Sequence, residues 1–274
     1  MRRQFEAEKE LADRLRRAAR VERPALYRSL YEELFRRAPG HERLEADRDG
    51  AVRARAVEAQ MRLLRPWLEP RPGVFLEIGP GSGWLAFAMC SRADRVLAVD
   101  ISDQLAPAAE RPANFRFLAS DGVSLPLENG AADLAFSYQV IEHQHPDDVA
   151  PGLAEVRRVL KPGGRYVLAT PHRYSGPHDI SRHFSDEPLG LHLKEWTYRE
   201  LGRALEQAGF SEWRAYRFGR PLGAAWLNRL NLAFEAVCGI LPRPLQRRFC
   251  RRLFQGIALV AFTTGRNGWP DTAR

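Results

Sequence analysis

Val74 to Trp84 read VFLEIGPGSGW, an apolar run that ends at Glu77 and continues into a loop with glycine at every second position. A second apolar run, VLAVDIS from Val96 to Ser102, ends at Asp100. Apolar runs bounded by glycine predict buried strands, and glycine lets the backbone come close to a ligand. The order of strand, glycine loop, helix start, second strand and terminal acid therefore predicts a nucleoside pocket.

The spacing of the glycines distinguishes between two kinds of nucleoside ligand. A dinucleotide loop has the pattern G-x-G-x-x-G and places a pyrophosphate at the helix N-terminus. Here the pattern is E-x-G-x-G-x-G from Glu77 to Gly83, so the third glycine comes one residue early. The acid before the first glycine would repel a pyrophosphate but suits a cationic amino group, and Asp100 can accept hydrogen bonds from both ribose hydroxyls. The pattern therefore predicts a nucleoside that carries an amino acid.

With these residues the chain resembles the class I S-adenosylmethionine-dependent methyltransferases, and three further motifs extend the resemblance. FRFLASDG at 115–122 resembles the third strand of that class, and ADLAFSYQVIEH at 132–143 resembles its fourth strand with the following loop. EVRRVLKPGGRYVLAT at 155–170 resembles its helix, turn and fifth strand. The resemblance covers about Val74 to Phe218 and implies S-adenosyl-L-methionine as cofactor and S-adenosyl-L-homocysteine as product. A glycine-rich turn in some other α/β protein is the alternative, but it leaves the placement of Asp100 and Asp121 unexplained.

Strand and helix patterns alternate along the chain, which predicts a parallel sheet with right-handed crossovers. The resemblance implies a Rossmann-like α/β fold, with a seven-stranded, mostly parallel sheet in the order 3-2-1-4-5-7-6 and helices on both faces. We expect an N-terminal helical extension or lid over residues 1–70 and a methyltransferase domain over residues 71–274. A helical insertion, residues 219–256, precedes the last strand, where the class usually has a short hairpin.

By the resemblance, the cofactor contacts come from residues at or after the ends of four strands. Glu77 and Gly79 would hold the methionine moiety, Asp100 the ribose, and Asp121 with Gly122 the adenine edge. Ile101 would pack on the adenine face, and the residues after Ser137 would pass the methionine tail and the sulfonium. The full expected set is Glu77, Gly79, Pro80, Gly81, Gly83, Asp100, Ile101, Asp121, Gly122, Ser137, Tyr138 and Gln139.

Six of the seven histidines lie between residues 143 and 192, in the loops after the fourth and fifth strands. An acceptor hydroxyl must lose a proton, and histidine has the unperturbed pKa that suits this task. We expect catalytic roles for His143, with Glu142 orienting its ring, and for His178, with Asp179 beside it; surface or capping roles are the alternative. No metal is expected, because Gln139 replaces the first acid of the E-x-x-E-H motif of some metal-binding quinone O-methyltransferases.

The charge of the 274-residue chain is unevenly distributed. The formal net charge is +8, and residues 214–252 hold nine arginines against one acid, Glu235. Three cysteines without metal-type spacing indicate a reducing compartment. The charged N-terminus lacks the apolar core of a signal peptide, so we expect a cytoplasmic protein.

Two amphipathic helices are predicted within residues 222–254. One face of the first carries Leu227, Leu230, Phe234, Val237, Cys238 and Leu241, and Leu245, Phe249 and Leu253 follow at every fourth position. We expect these faces to dock on the domain. The alternative is peripheral contact with an anionic membrane, with Trp226 and Phe234 as anchors. Because no RNA or DNA module accompanies the arginines, no nucleic-acid partner is expected.

The predicted function is methylation of a small-molecule or sugar/glycan hydroxyl by in-line transfer, with deprotonation assisted by histidine. Residues 170–184 and 191–201 are loosely similar to a methyltransferase subgroup associated with glycan and cell-surface polysaccharide pathways. Nitrogen or carbon methylation of a small molecule is an alternative, although SYQV at 137–140 lacks the N-P-P-Y type of loop used for amide or nucleobase nitrogen. A non-catalytic cofactor-binding scaffold is a further alternative. We expect a monomer or homodimer.

Overall fold

One eight-stranded sheet organises the computed structural model, which describes residues 1–38, 49–103, 105, 111–254 and 256–265. The strands are β1 (Val74–Ile78), β2 (Arg95–Asp100), β3 (Phe115–Ala119), β4 (Ala132–Tyr138), β5 (Leu160–Pro171), β6 (Glu212–Arg217), β7 (Arg220–Pro221) and β8 (Gly256–Phe262). Their order is β3-β2-β1-β4-β5-β8-β6-β7. The first five strands are parallel, and β8 runs antiparallel to both neighbours. This confirms the predicted fold and order, with the two-residue β7 added at the edge.

Helices cover both faces of this sheet and extend beyond it. They are α1 (Arg2–Arg17), α2 (Arg23–Arg37), α3 (Gly50–Leu64), α4 (Trp84–Met89), α5 (Pro146–Val159), α6 (Tyr198–Gln207), α7 (Ala225–Gly239) and α8 (Arg243–Leu253). Short 3₁₀ turns occur at Arg65–Trp67, Arg173–Ser175 and Ile180–His183. The α2 helix has Pro24 in its first turn, and α6 begins with a capping box formed by Thr197 and Glu200. The sequence pair Pro39-Gly40, which predicts the end of a helix, lies outside the described residues.

The core lies on both sides of the central strands. Leu76 of β1 and Leu168 of β5 pack with α5 and α6 on one face. Phe75 of β1 and Val167 of β5 pack with α3 and α4 on the other. Strands buried on both faces need apolar side chains in both directions, which explains the continuous apolar runs in the sequence.

The N-terminal helices are held on the domain by a small apolar cluster and by two arginines. Leu191 joins the apolar residues of α1 and α2. Arg16 donates hydrogen bonds to the carbonyls of Pro188 (3.1 Å) and His192 (3.4 Å). Arg23 forms a buried ion pair with Asp148, at 2.8 Å, in the first turn of α5. The extension therefore lies over the loop before α6 and over the start of α5.

The insertion forms the two predicted helices, α7 and α8, but their orientation corrects the prediction. The buried residues of α7 are mostly polar, and they include Asn228 and Glu235. Leu230, Phe234 and Val237, which we expected to dock on the domain, are exposed. The described part of the chain has no helix long and apolar enough to cross a bilayer.

Candidate active site

A cavity of about 390 Å³ opens at the carboxyl ends of β1, β2 and β4. Ligands of open parallel sheets bind at this edge, because the loops after the strands converge there. Ten of the twelve predicted cofactor residues line the cavity: Glu77, Gly79, Pro80, Gly81, Asp100, Ile101, Gly122, Ser137, Tyr138 and Gln139. The other two, Gly83 and Asp121, lie in the same loops but are not among its lining residues.

The glycine loop after β1 has a left-handed backbone conformation that residues other than glycine rarely adopt. Gly79, Gly81 and Gly83 have φ angles of +67°, +55° and +78°. A Cβ atom at Gly79 would also lie 2.5 Å from the side chain of Val140. Gly83 is the N-cap of α4, so it ends the loop and starts the helix beside the cavity. The loop therefore brings main chain, rather than side chains, close to a ligand.

Glu77 presents a buried carboxyl group to the cavity. Its side chain is 4% exposed, and Oε2 has no hydrogen-bond partner among the residues that the structure describes. Burial away from water raises the pKa of Glu77 to about 8. Repulsion from Asp100 also raises this pKa, and a hydrogen bond from the Ala86 amide lowers it in part. A buried acceptor without a partner costs about 1–3 kcal/mol. The amino group of an amino-acid ligand would remove this cost, so the carboxyl group fits the cofactor that the sequence predicts.

The acids after β2 and β3 have different surroundings. Asp100 lines the cavity, and its Oδ1 accepts a 2.7 Å hydrogen bond from the Ile101 amide. Asp121 instead accepts hydrogen bonds from the Val123 and Ser124 amides, at 2.9 and 2.6 Å. Although burial raises the pKa of Asp121, these bonds lower it below its ordinary value. Gly122, the next residue, lines the cavity, so this loop presents its backbone there.

The end of β4 passes along the cavity in an unusual conformation. Gln139 has a φ of +56°, a left-handed backbone that costs about 1–3 kcal/mol for a residue other than glycine. Its amide donates to the Ala169 carbonyl at 2.9 Å. The hydroxyl groups of Ser137 and Tyr166 lie 2.7 Å apart in the wall of the cavity. Backbone pairing with β5 thus holds Gln139 in a turn that carries the chain over the ligand site.

A second cavity of about 200 Å³ adjoins the first and shares Tyr31 and His143 with it. His143 and His178, from the loops after β4 and β5, both line the second cavity. Nδ1 of His143 lies 3.0 Å from the Leu191 carbonyl oxygen. A carbonyl only accepts, so Nδ1 donates and Nε2 carries the lone pair. The Leu191 carbonyl therefore helps to orient the ring, and a role of Glu142 in orienting it stays a prediction.

Glu142 is fully buried beside His143 and His192. Its Oε2 accepts a 2.9 Å hydrogen bond from the Thr170 hydroxyl, and Oε1 has no partner within the described ranges. Burial raises the pKa of Glu142 to about 7, opposed by the charge of His192. Ligand atoms of Glu142, His143 and His192 all lie within 4.8 Å of one another, so these three side chains could hold a divalent cation.

The sequence patterns did not single out His192. Its Nδ1 lies 2.9 Å from Oε1 of Glu195, three residues later in the chain. Although burial lowers the pKa of His192, the hydrogen bond with Glu195 and the charges of Glu142 and Asp179 raise it overall. The one local signal was the H-x-x-E spacing. It marks a histidine–carboxylate pair but does not place that pair beside His143.

His178 is held by a partner different from the expected one. Nε2 lies 2.9 Å from Ser175 Oγ and 3.2 Å from the His172 carbonyl oxygen, so Nε2 carries the proton. Asp179 accepts from the Ser181 amide instead, at 2.9 Å. Burial lowers the pKa of His178, which keeps the ring neutral near pH 7. His178 and His143 thus reach the second cavity from different loops.

The N-terminal helices contribute a wall of the first cavity that the sequence patterns did not assign to the site. Tyr27 and Tyr31 of α2 and Gln60 of α3 line it. The Tyr27 hydroxyl accepts a 2.7 Å hydrogen bond from the His145 amide, and burial raises the pKa of Tyr27 to about 12. In the sequence both tyrosines belong to an apolar helical stripe, a pattern that predicts packing rather than ligand contact.

Comparison with known proteins identifies the central part of the chain. Residues 76–168 match the family model described as a methyltransferase domain. A probable S-adenosylmethionine-dependent methyltransferase of Mycolicibacterium smegmatis is 34% identical over 140 residues, 49% of this chain and 51% of that protein. A malonyl-[acyl-carrier protein] O-methyltransferase of Serratia marcescens is 34% identical over 96 residues, 35% of this chain and 37% of that protein. The chain spans about half or less of the length of these curated relatives.

A solved structure extends the likeness of the fold to most of the chain. The 1,6-didemethyltoxoflavin-N1-methyltransferase of Burkholderia thailandensis, solved with S-adenosylhomocysteine, superposes with a TM-score of 0.55 at 22% identity. The superposition covers 90% of this chain and 91% of that one. At this level of identity the likeness establishes the fold alone.

Proposed function

Since the chain carries a class I S-adenosylmethionine-dependent methyltransferase domain, we propose that it methylates a hydroxyl group of a small molecule or glycan. The observation that carries this proposal is the pair of cavities that meet at Tyr31 and His143. The larger cavity has the residues for the cofactor, and the smaller one collects polar side chains for an acceptor. His143, whose Nε2 is the unprotonated ring nitrogen of the neutral imidazole, lies at their junction.

The cofactor would be held by residues whose chemistry matches its parts. Glu77 would accept hydrogen bonds from the amino group, and Asp100 would accept them from the ribose hydroxyls. Gly122 and Ile101 would border the adenine, and Ser137 to Gln139 would follow the methionine chain. When bound, the cofactor supplies an electrophilic methyl group on a sulfonium, which is a good leaving group. Alignment of the acceptor then supplies much of the acceleration.

His143 would remove the proton of the acceptor hydroxyl at Nε2, because it is the histidine that lines both cavities. Glu142, next to His143 and His192, would stabilise the positive charge that the His143 ring gains. His178 lines only the second cavity, and its Nδ1 would accept a hydrogen bond from the acceptor. Arg182 lines the same cavity and would favour an acceptor with an anionic or strongly polar group.

The N-terminal extension, residues 1–70, would act as a lid on the methyltransferase domain, residues 71–274. Tyr27 and Tyr31 close one side of the cofactor cavity, and Arg16 binds the loop that carries His192. A lid of this kind excludes water from the site and strengthens electrostatic interactions there. The extension would thus complete both cavities rather than form an independent unit.

The test is methyl transfer from labelled cofactor to a panel of hydroxylated sugars, glycans and small molecules. His143→Asn should lower kcat by about 10²- to 10⁴-fold and leave the affinity for S-adenosylhomocysteine unchanged. Gln207→Asn is the control, because Gln207 is exposed at the end of α6 and lines neither cavity. Full activity of His143→Asn, or a product methylated on nitrogen or carbon, would contradict the proposal.

A further inference from the structure

The helices α7 and α8 expose a continuous set of large apolar side chains, which we name the outer face. Its members recur at helical spacing and are 45–83% exposed: Trp226, Leu230, Phe234, Val237, Ile240, Leu245, Phe249 and Leu253. Isolated exposed apolar residues are ordinary on protein surfaces, but eight of them at helical spacing on two helices that touch each other point to an interaction site. The outer face lies outside both cavities, so the proposed methyl transfer does not account for it.

The orientation of α7 is fixed by buried polar contacts on its opposite side. Glu235 accepts hydrogen bonds from the Tyr198 and Arg199 amides, at 2.6 and 2.9 Å, in the first turn of α6. The same carboxylate lies 2.7 Å from Nε2 of His172. Asn228 accepts from the Ala215 amide of β6 at 2.9 Å. Turning the helix to bury its apolar side would leave these groups without partners at about 1–3 kcal/mol each, so the exposure is built into the fold.

Positive charge borders the outer face. Arg229, Arg248, Arg251 and Arg252 are exposed. Arg229 and Arg248 stand three residues after Trp226 and Leu245, a spacing that makes them neighbours on the helix surface. Glu235, which is the one acid between residues 214 and 252, is buried. The exposed chemistry of the two helices is therefore apolar and cationic.

The outer face is also coupled to the acceptor loop. The α8 helix lies against the turn Arg173–Ser175, and Ser175 Oγ lies 2.7 Å from the Phe254 carbonyl oxygen just after the helix. The same hydroxyl contacts His178 in the second cavity. Arg243 pairs with Glu187 at 2.7 Å, and Arg247 pairs with Asp186, in the loop before α6. A surface bound by α7 and α8 would therefore lie beside the entrance for the acceptor.

We propose that the outer face binds the surface of an anionic phospholipid bilayer. The apolar side chains would enter the boundary between headgroups and acyl chains, and the four arginines would meet the lipid phosphates. A second copy of the chain fits less well, because two such faces would bring their arginines together, and α7 and α8 carry no exposed acid to pair with them. The bilayer supplies both an apolar layer and the missing negative charge.

The first experiment measures co-sedimentation of the whole chain with vesicles. Binding should be strong to phosphatidylcholine vesicles that contain about a third phosphatidylglycerol and weak to phosphatidylcholine alone at about 0.1 M salt, where surface charges still interact over roughly 10 Å. Trp226→Ser combined with Phe234→Ser should lower the partition coefficient at least tenfold. Arg248→Gln and Arg252→Gln should each lower it about fivefold.

The controls distinguish a membrane surface from misfolding and from dimerisation. Val21→Ser and Arg55→Gln change exposed residues elsewhere and should leave vesicle binding unchanged. Every variant should bind S-adenosylhomocysteine as the original chain does, which shows that the domain is folded. Equal binding of the outer-face variants to anionic vesicles would overturn the proposal. So would a dimer in light scattering that Trp226→Ser with Phe234→Ser dissociates, in a chain that ignores vesicles.

Discussion

At the scale of single residues, Glu77 links the chemistry of the pocket to pH. With no ligand its pKa is raised to about 8, because burial disfavours the charged form, so the carboxyl group is mostly protonated at pH 7. A cationic amino group binds the ionised form. Binding of the cofactor must therefore release a proton at neutral pH, and its affinity should rise with pH.

This gives a prediction for S-adenosylhomocysteine titrated by calorimetry between pH 6 and 9. The Kd should fall up to about tenfold per pH unit below pH 8 and level off above it. Glu77→Gln has no proton to release, so it should bind more weakly and lose the slope. Asp94→Asn, at an exposed acid before β2, is the control. A Glu77→Gln variant that keeps the slope would assign the proton to another group.

Gly79 and Gly209 form a matched pair that separates backbone strain from steric overlap. Both have positive φ angles, +67° and +89°. A Cβ atom at Gly79 meets Val140 at 2.5 Å, whereas one at Gly209 meets nothing within 4 Å. Gly209→Ala should lower the free energy of unfolding by about 1–2 kcal/mol and leave cofactor affinity intact.

Gly79→Ala should cost more stability in the same denaturation measurement and should also weaken cofactor binding. The reason is that the new methyl group pushes Val140, which lines the cavity, or displaces the loop itself. Gly79→Ala with Val140→Ala should recover part of both losses. Identical behaviour of the two single glycine variants would mean that the contact with Val140 has no influence.

At the scale of elements, the ion pair of Arg23 with Asp148 ties α2 to the start of α5. Its side chains are 8% and 3% exposed, and the distance is 2.8 Å. Removal of Arg23 leaves the buried Asp148 carboxylate with only the longer pair to exposed Arg20, at 3.9 Å. Arg23→Ala should therefore lower the free energy of unfolding by about 3 kcal/mol, the lower end for a broken buried pair. Arg14→Ala breaks the exposed pair with Glu33, also at 2.8 Å, and should cost less than about 1 kcal/mol.

The same substitution tests the role of α1 and α2 as a lid. Arg23→Ala should increase hydrogen exchange in both helices and weaken cofactor binding, because Tyr27 and Tyr31 would no longer be held against the cavity. Arg14→Ala should do neither. Loss of stability without a change in cofactor affinity would show that the extension is a structural brace only.

Elements whose signal is local could be predicted from the sequence, and those whose position depends on distant partners could not. In the runs around Leu76 and Val99, the side chains that point to either face of the strand are apolar. This pattern is typical of strands that are buried on both faces. The α7 helix was predicted in the right place but with the wrong side inward. Its apolar residues dominate the pattern, whereas its contacts come from Asn228 and Glu235, whose partners lie on β6 and α6.

The residues of the candidate site also fall into those with a local sequence signal and those without one. The glycine loop and Asp100 were found because spacing along the chain fixes their positions relative to one strand end. Tyr27, Tyr31 and His192 reach the cavities from segments far away in sequence, and in isolation they resemble core residues or a capping histidine. Their convergence follows from tertiary contacts such as that of Arg16 with the His192 carbonyl.

At the scale of the whole molecule, the first cavity, which we propose holds the cofactor, is lined by the sheet, the N-terminal helices and the loops after β4. A ligand that binds only the folded chain stabilises all of these together. S-adenosylhomocysteine at about a hundred times its Kd should add about 2.7 kcal/mol and raise the Tm by roughly 5 °C. NAD should leave the Tm unchanged, because the third glycine of this loop comes one residue earlier than in the G-x-G-x-x-G loop that binds a pyrophosphate. Stabilisation by NAD alone would reverse the choice of cofactor.

In α7, the residues that attach the helix to the domain are different from the residues that face the surroundings. The buried contacts of Asn228 and Glu235 hold the helix on the domain, whereas side chains such as Trp226 and Leu230 are exposed and contribute little to folding. The exposed residues of the insertion can therefore change without loss of its buried contacts, and only the proposed bilayer contact would constrain them. A protein engineer can use the same latitude, because replacing the outer face with lysine and glutamate should yield a more soluble enzyme that keeps its pocket.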